Sequence, residues 1–545
     1  MVVLFIVVAG TVSLAFQDNY FEVSRNLDIF GSLFRELNIY YVDETKPGAL
    51  MKKGIDAMLE SLDPYTNYIP ESEIEDYRFM TTGEYGGIGA LIGRRGDNIL
   101  ITDPYEGYPA QKSGLLAGDV IIEVDGKSAK AKDTEDVSKV LKGQPGTEVK
   151  LLIKREGEAK PFEVKLTRAE VKIPSVSYSG MVSDGIAYVR LTSFTENAGQ
   201  EVKTAYENLK KDHQLKGLVL DLRGNPGGLL NEAVNIVNLF TDKGTLVVST
   251  KGKVKEWDKE YHALNSPFEK DMPLAVLVNR GSASASEIVS GSIQDLDRGI
   301  IIGQRTFGKG LVQTTRPLTY NSQLKVTTAK YYIPSGRCIQ ALDYSHRNAD
   351  GSVGHVPDSL ITAFKTKKGR TVYDGGGVMP DYIMPPEELS SISVALSNKY
   401  LIFDYATLYK KQHVSIAEAK SFKLTDAEYD EFTKWVGSKE YDYTTASEKL
   451  LDSLKSVATK EKYYDAAKPE FDALKSKLKN DKAGDLARHK DEIKGLLENE
   501  IVSRYYYQKG RAEQDFAYDT ELKKAIEALN DNKMYNEIIS RQGSK

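Results

Sequence analysis

Cysteine is nearly missing from this chain. One residue in 545, Cys338, carries a thiol, which excludes an internal disulfide framework and any multi-cysteine metal site. Histidine is scarce as well. The six present show no ligand spacing and no His-Glu-x-x-His, and none lies between Asn279 and Gln313, so no metal is implied. Excess charge of one sign is absent too: 73 basic against 78 acidic residues leave a formal net charge of −5, with no global attraction for nucleic acid or anionic lipid. At 545 residues the chain is long enough for three or four domains.

What is present is concentrated between Asn279 and Gln313. The apolar run Pro273–Val278 breaks into Asn279-Arg-Gly-Ser-Ala-Ser-Ala-Ser-Glu-Ile288, an order that predicts a buried strand, a tight turn and a helix N-terminus. A serine at such a junction presents its hydroxyl from a fixed backbone, beside unpaired helix-terminal N–H groups that can hold an oxyanion. Three serines compete, Ser282, Ser284 and Ser286, with Ser286 the better helix cap. A hydroxyl needs a base, and the next lysine along is Lys309, set between two glycines after Phe307. Desolvation there lowers an amine's pKa toward neutrality. A histidine folded in from far away is the competing base, with no motif in its favour.

Gly281-Ser-Ala-Ser-Ala-Ser-Glu-Ile288, Gln294-Asp295 and Phe307-Gly-Lys-Gly-Leu-Val-Gln313 together resemble the signature of the C-terminal processing (tail-specific) serine peptidases. The resemblance implies that Ser284 is the nucleophile, that Lys309, 25 residues later, is its base, and that Gln313 orients the lysine. Asp295 tunes the site in some members, although an exposed helix carboxylate is the plainer expectation here.

Upstream, Gly217–Leu222 reads as a buried strand leading into Arg223-Gly-Asn-Pro-Gly-Gly-Leu-Leu230 and a helix. Glycines at a strand-to-helix junction let backbone N–H groups approach a ligand, and this loop carries no Gly-Lys-Ser/Thr that would make it a nucleotide site. In the resembled family it faces the nucleophile, so that Gly227 or Gly228 supplies one oxyanion donor and the Ala285 N–H the other. Alternating strands and helices over 175–386 argue an α/β core with a mainly parallel sheet, and the resemblance implies a fold like that of crotonases and the caseinolytic protease. Cys338 is expected to be a packed small residue, and 341–377 a turn-rich insertion.

Residues 83–169 resemble a PDZ domain, a small β barrel with helices. Gly86-Gly87-Ile88-Gly89 corresponds to its carboxylate-binding loop, followed by Gly114–Gly126 and a helix near Asp136–Leu141. Such a module implies peptide or protein substrates with apolar C-terminal tails, paired to a strand edge; a domain that only braces or gates the protease is the alternative. Residues 17–80 form an N-terminal helical region, with Leu27, Phe30, Phe34 and Leu37 on one face and Ile55, Met58, Leu59 and Leu62 on the next, expected to pack on each other or on a partner. Residues 387–545 are rich in Lys, Glu and Tyr with helical stripes and a capping box at Thr445…Glu448, a helical C-terminal domain that is a candidate for homo-oligomerisation or simply a packing domain.

The run Val2–Phe16 is apolar for about 15 residues and turns polar at Gln17, signal-peptide or signal-anchor length and short for a spanning helix. A positive n-region is missing before it. The expectation is export to a bacterial periplasm, with residues 1–16 cleaved or retained as the sole membrane contact. The whole reads as a multidomain α/β serine endopeptidase acting through an acyl-enzyme without metal or organic cofactor. A PDZ scaffold without turnover and a crotonase-like acyl-CoA enzyme are the competing classes.

Overall fold

The computed structural model describes residues 2–478 and 482–541, with side chains from Tyr20 onward apart from 482 and 483. The signal or anchor segment expected at 1–16 lies outside the described side chains. Among the described residues no helix is long and apolar enough to cross a membrane.

Two units make up the chain. The first comprises residues 1–72 and 313–327. Its helices, Val2–Tyr40 and Pro47–Glu60, end in a turn where Asp63 accepts from the Tyr65 and Thr66 N–H groups at 2.8 and 2.9 Å. Strand Asn67–Ile69 then pairs antiparallel with residues 323–325. The first helix does not bury the face expected to pack: Leu27, Phe30 and Leu37 are all exposed, because a periodic apolar stripe fixes a face and not its cover.

The second unit opens with the PDZ-like barrel. Strands Ala90–Arg95, Asn98–Pro104, Val120–Val124, Glu148–Lys154 and Phe162–Thr167 lie side by side in that order. Alternating residues of these strands, Ile99, Ile101, Ile121, Leu151 and Ile153, form the core with Val137 and Leu141 of helix Thr134–Leu141. Strand Ala90–Arg95 stands at the sheet edge, where an extended peptide can add.

The central sheet has six strands in the order Val176–Ser183, Ile186–Leu191, Gly217–Asp221, Leu274–Val278, Ile300–Gly303 and Tyr382–Ile383. All but the first run parallel to their neighbours. Its inner strands are unbroken apolar runs because both faces are covered. Helices Ala198–Asp212, Leu230–Asn238 and Ala285–Asp295 cover one face, with Val202, Ile236 and Ile293 against Val189, Leu220 and Val276. The other face, Tyr188, Val219, Leu277 and Ile302, is covered by Leu522, Ala525, Leu529 and Ile538 of Thr520–Asn530 and Asn532–Ile539. The tail therefore returns to complete the catalytic layer. Its earlier helices build a separate core around Ile402, Phe432, Leu497 and Ile501, and the capping box forms, with Thr445 N–H donating to Glu448 and Glu448 N–H to Thr445 Oγ1. The 341–377 insertion folds into two small hairpins, pinned by the Arg370 guanidinium on Asp297 at 2.6 Å and Asp381 at 2.5 Å.

Candidate active site

Three loops meet beyond the carboxyl ends of adjacent parallel strands, the usual place for a site in an open α/β sheet. They are 222–229, 279–284 and 304–310. Asn279 joins the first two: its Oδ1 accepts from the Gly281 and Gly224 N–H groups, each at 2.9 Å. Asn225, fully buried, locks them. Its carbonyl accepts from the Ala283 N–H at 3.0 Å and the Ser286 hydroxyl at 2.9 Å, while its side chain bonds the Leu191 carbonyl and the Gly227 N–H.

These contacts separate the three serines. Ser282 donates to the Leu222 carbonyl at 2.8 Å, and Ser286 is spent on Asn225; both are buried. Ser286 is thus not the helix cap, since its hydroxyl is turned to the neighbouring loop. Ser284 takes the cap position of Ala285–Asp295, half-buried, with φ 56° and ψ −114°. A positive φ in a residue with a Cβ is strained and persists only where surrounding contacts over-determine it.

Glu287 supplies those contacts. Fully buried, its Oε2 accepts the N–H groups of Ser284 and Lys309, each at 2.9 Å. Its Oε1 accepts the Gly308 N–H at 2.7 Å and the Thr306 hydroxyl at 2.5 Å. Burial pushes this carboxyl up to about 7 against the pull of those four donors. Tyr331 adds a second bridge, its hydroxyl 3.1 Å from the Ser284 carbonyl and 2.7 Å from that of Lys309. Residues 284 and 309 are therefore fixed to each other through backbone on two sides. Lys309 is half-buried, and Phe307, expected to shield it, is exposed.

Around Ser284 the backbone N–H groups are arranged as follows. Gly227 abuts the serine: a Cβ there would lie 2.7 Å from the Ala283 carbonyl oxygen and 2.8 Å from Ser284 Cβ, at φ +99°. Its N–H is taken by Asn225 Oδ1 at 2.9 Å. The Gly228 and Ala285 N–H groups donate to nothing among the described residues. Gln313 lies in the first unit, where its Nε2 donates to Thr327 Oγ1 at 3.1 Å. Asp295 is not an exposed helix carboxylate. It is buried against Arg337 at 2.8 Å and accepts the Ser335 N–H, a structural ion pair. Cys338 is half-buried, and burial raises its thiol pKa, which keeps it unreactive.

In the barrel, Gly86 and Gly87 lie in strand Glu84–Gly87, paired with Ala169–Lys172. A Cβ on Gly86 would sit 2.0 Å from the Gly143 carbonyl oxygen, and one on Gly89, at φ +71°, 2.3 Å from Tyr108 Cβ. The Ile88 and Gly89 N–H groups donate to nothing among the described residues, leaving two adjacent donors for an anion. Exposed Leu91 and Val140 lie on the edge strand and on the barrel helix. No cluster of three or more His, Cys, Asp or Glu side chains suited to a metal occurs among the described residues.

Glu287, Asn225 and Tyr331 are the site residues that sequence reasoning left without a role. Glu287 and Asn225 stand in motifs quoted above, Tyr331 in none, and the one signal is a spacing, glutamate three residues past a helix cap.

Residues 185–345 match the peptidase family S41, 100–155 the PDZ domain, and 392–529 a family described as "Probable PDZ-protease, C-terminal helical domain". The carboxy-terminal-processing protease of Bartonella bacilliformis is 38% identical over 329 residues, 60% of this chain and 74% of that protein. The chain belongs to peptidase family S41. It is a serine protease of the carboxy-terminal-processing group, with a PDZ domain and a C-terminal helical domain. A "Probable CtpA-like serine protease" of Staphylococcus aureus is 39% identical over 318 residues, 58% of this chain and 62% of that protein. Among solved structures, the photosystem II D1 C-terminal processing protease is 30% identical and covers 65% of this chain and 87% of its own, with a TM-score of 0.36.

Proposed function

We propose that this S41 protease cleaves exported proteins through a Ser284–Lys309 dyad after docking their apolar C-termini on Gly86, Gly87, Ile88 and Gly89. The observation that carries the reading is the Glu287 carboxylate, which holds the N–H groups of both dyad residues at 2.9 Å and enforces the strained backbone of Ser284.

Neutral Lys309 accepts the Ser284 hydroxyl proton as the oxygen attacks the scissile carbonyl. The developing oxyanion is received by the Ala285 and Gly228 N–H groups, which no acceptor among the described residues occupies. The Lys309 ammonium then gives its proton to the leaving amine, and water hydrolyses the acyl-enzyme by the reverse proton path. Because the base works neutral, turnover rises with pH, and an acid optimum refutes the dyad.

The N-terminal segment directs the protein to the bacterial periplasm, which fractionation checks, and the exposed Phe21, Leu27, Phe30 and Leu33 of helix Val2–Tyr40 support self-association, which sedimentation checks. The deciding experiment compares the full chain with Ser284→Ala and Lys309→Ala on an unfolded protein ending in small apolar residues, read by mass spectrometry. Each substitution lowers kcat by on the order of 10⁴-fold or more. Equal cutting by the variants overturns the dyad, and tail binding without turnover in all three turns the reading to a scaffold.

A further inference from the structure

The glycine loop that abuts Ser284 is tied to the C-terminal tail by one side chain. Arg223, at the loop's start, is enclosed by three carboxylates. Its Nη2 meets Asp221 Oδ2 at 2.6 Å and Asp519 Oδ2 at 2.5 Å, and its Nη1 meets Asp519 Oδ1 at 2.9 Å and Glu521 Oε2 at 2.8 Å. The guanidinium is 18% exposed, and Asp519 and Glu521 are 13% and 9% exposed, so solvent screens these charges little.

Each partner is itself fixed. Asp221 ends its strand and accepts the Tyr188 hydroxyl at 2.6 Å and the Arg223 N–H at 2.9 Å. Asp519 caps helix Thr520–Asn530 through the Leu522 N–H at 2.8 Å, and that helix packs on the central sheet. Glu521 also accepts from Gln304 Nε2 at 3.4 Å, in the loop that carries Lys309. One turn of the tail helix thus touches both the glycine loop and the lysine loop.

The loop itself is poorly self-supporting. Gly224, Gly227 and Gly228 all have positive φ, at 69°, 99° and 150°, and glycine loses the most conformational freedom when ordered. Asn225 clamps its middle, Asn279 ties Gly224 to the neighbouring loop, and Arg223 clamps its stem to the C-terminal tail.

We infer that Asp519 and Glu521 are positioning residues of the protease: they hold Arg223 so that Gly227 stays against Ser284, which makes the tail part of the catalytic apparatus. This rests on the Ser284 reading above. A donor displaced by even 1 Å costs on the order of 10²-fold in rate, whereas substrate docking on the PDZ domain is untouched.

The test uses the full chain carrying Asp519→Asn together with Glu521→Gln, isosteric changes that remove both charges, with Asp519→Glu as a charge-retaining control. kcat and KM on a tailed peptide are measured well below the melting temperature, alongside fluorophosphonate labelling of Ser284 and amide hydrogen exchange. The expected result is a fall in kcat of about 10-fold or more with KM unchanged, faster exchange confined to 223–229, and partial recovery in Asp519→Glu. A lowered melting temperature with kcat unchanged overturns the inference, because the network is then only structural; so does unaltered exchange at 223–229. If wild type neither turns over nor labels, the Ser284 reading fails, and the exchange data alone decide whether the tail orders the loop.

Discussion

Ser284 combines the position proposed for the nucleophile with a backbone that resists it, and the two can be separated by a pair of substitutions. Ser284→Ala removes the hydroxyl and keeps the Cβ, so the strain at φ 56°, ψ −114° remains. Ser284→Gly removes the hydroxyl and the Cβ together. A sparsely populated backbone region costs about 1–3 kcal/mol for a residue with a side chain, and the extra freedom of an unfolded glycine returns about 0.5–1 kcal/mol of that. The glycine variant is therefore expected to be more stable than the alanine variant by about 1 kcal/mol, between limits of about 0 and 2.5 kcal/mol. At about 2–4 °C per kcal/mol for a domain of this size, the central expectation is a melting temperature about 2–4 °C higher. Both proteins lack the proposed nucleophile, so self-cleavage through it does not confound the comparison, and calorimetry or urea unfolding reads it directly. A glycine variant that melts at or below the alanine variant refutes the claim that strain is stored at this residue.

Gly227→Ala places a Cβ 2.7 Å from the Ala283 carbonyl oxygen and 2.8 Å from Ser284 Cβ; kcat falls on the order of 10²-fold while tail-peptide binding, followed by fluorescence anisotropy, is unchanged. Glu287 contributes a pH signature. Its folded value of about 7 lies above the ordinary 4.5, so the folded state holds this proton more tightly than the unfolded one. The stability it contributes is full below about 4.5 and is lost as pH rises through about 7. Glu287→Gln flattens that part of the melting-temperature profile, and an unchanged slope between pH 4.5 and 7 counts against the assignment.

Much of this was legible in the residues. The runs Gly217–Asp221 and Leu274–Val278 read as buried strands because a parallel sheet covered on both faces needs no polar alternation, and the small-residue turn after the second placed three serines at a helix start. Which serine is free was not legible from periodicity, since Ser282 and Ser286 are consumed by the carbonyls of Leu222 and Asn225, partners about 60 positions away. Glu287 carried no role in the sequence, since only the folded chain brings the Thr306, Gly308 and Lys309 donors to it. Asp295 was misjudged for the same reason, its partner Arg337 lying in a later segment. The tail read as helical from its stripes and capping box, which do not say that Leu522, Ala525 and Leu529 cover the central sheet rather than another tail helix.

The return of residues 520–539 to that sheet has a consequence for biosynthesis. Strands through Gly303 are complete while the layer that buries Tyr188, Val219, Leu277 and Ile302 is still to be translated, a delay of roughly 10–50 seconds at ordinary elongation rates. Until then the apolar face stays open, and Asp519 and Glu521 have not reached Arg223. A chain stopped short of this helix is both sticky and without its loop clamp. A protease active while half-made would be a hazard to its own cell, and on the inference above competence arrives only with the distal helix.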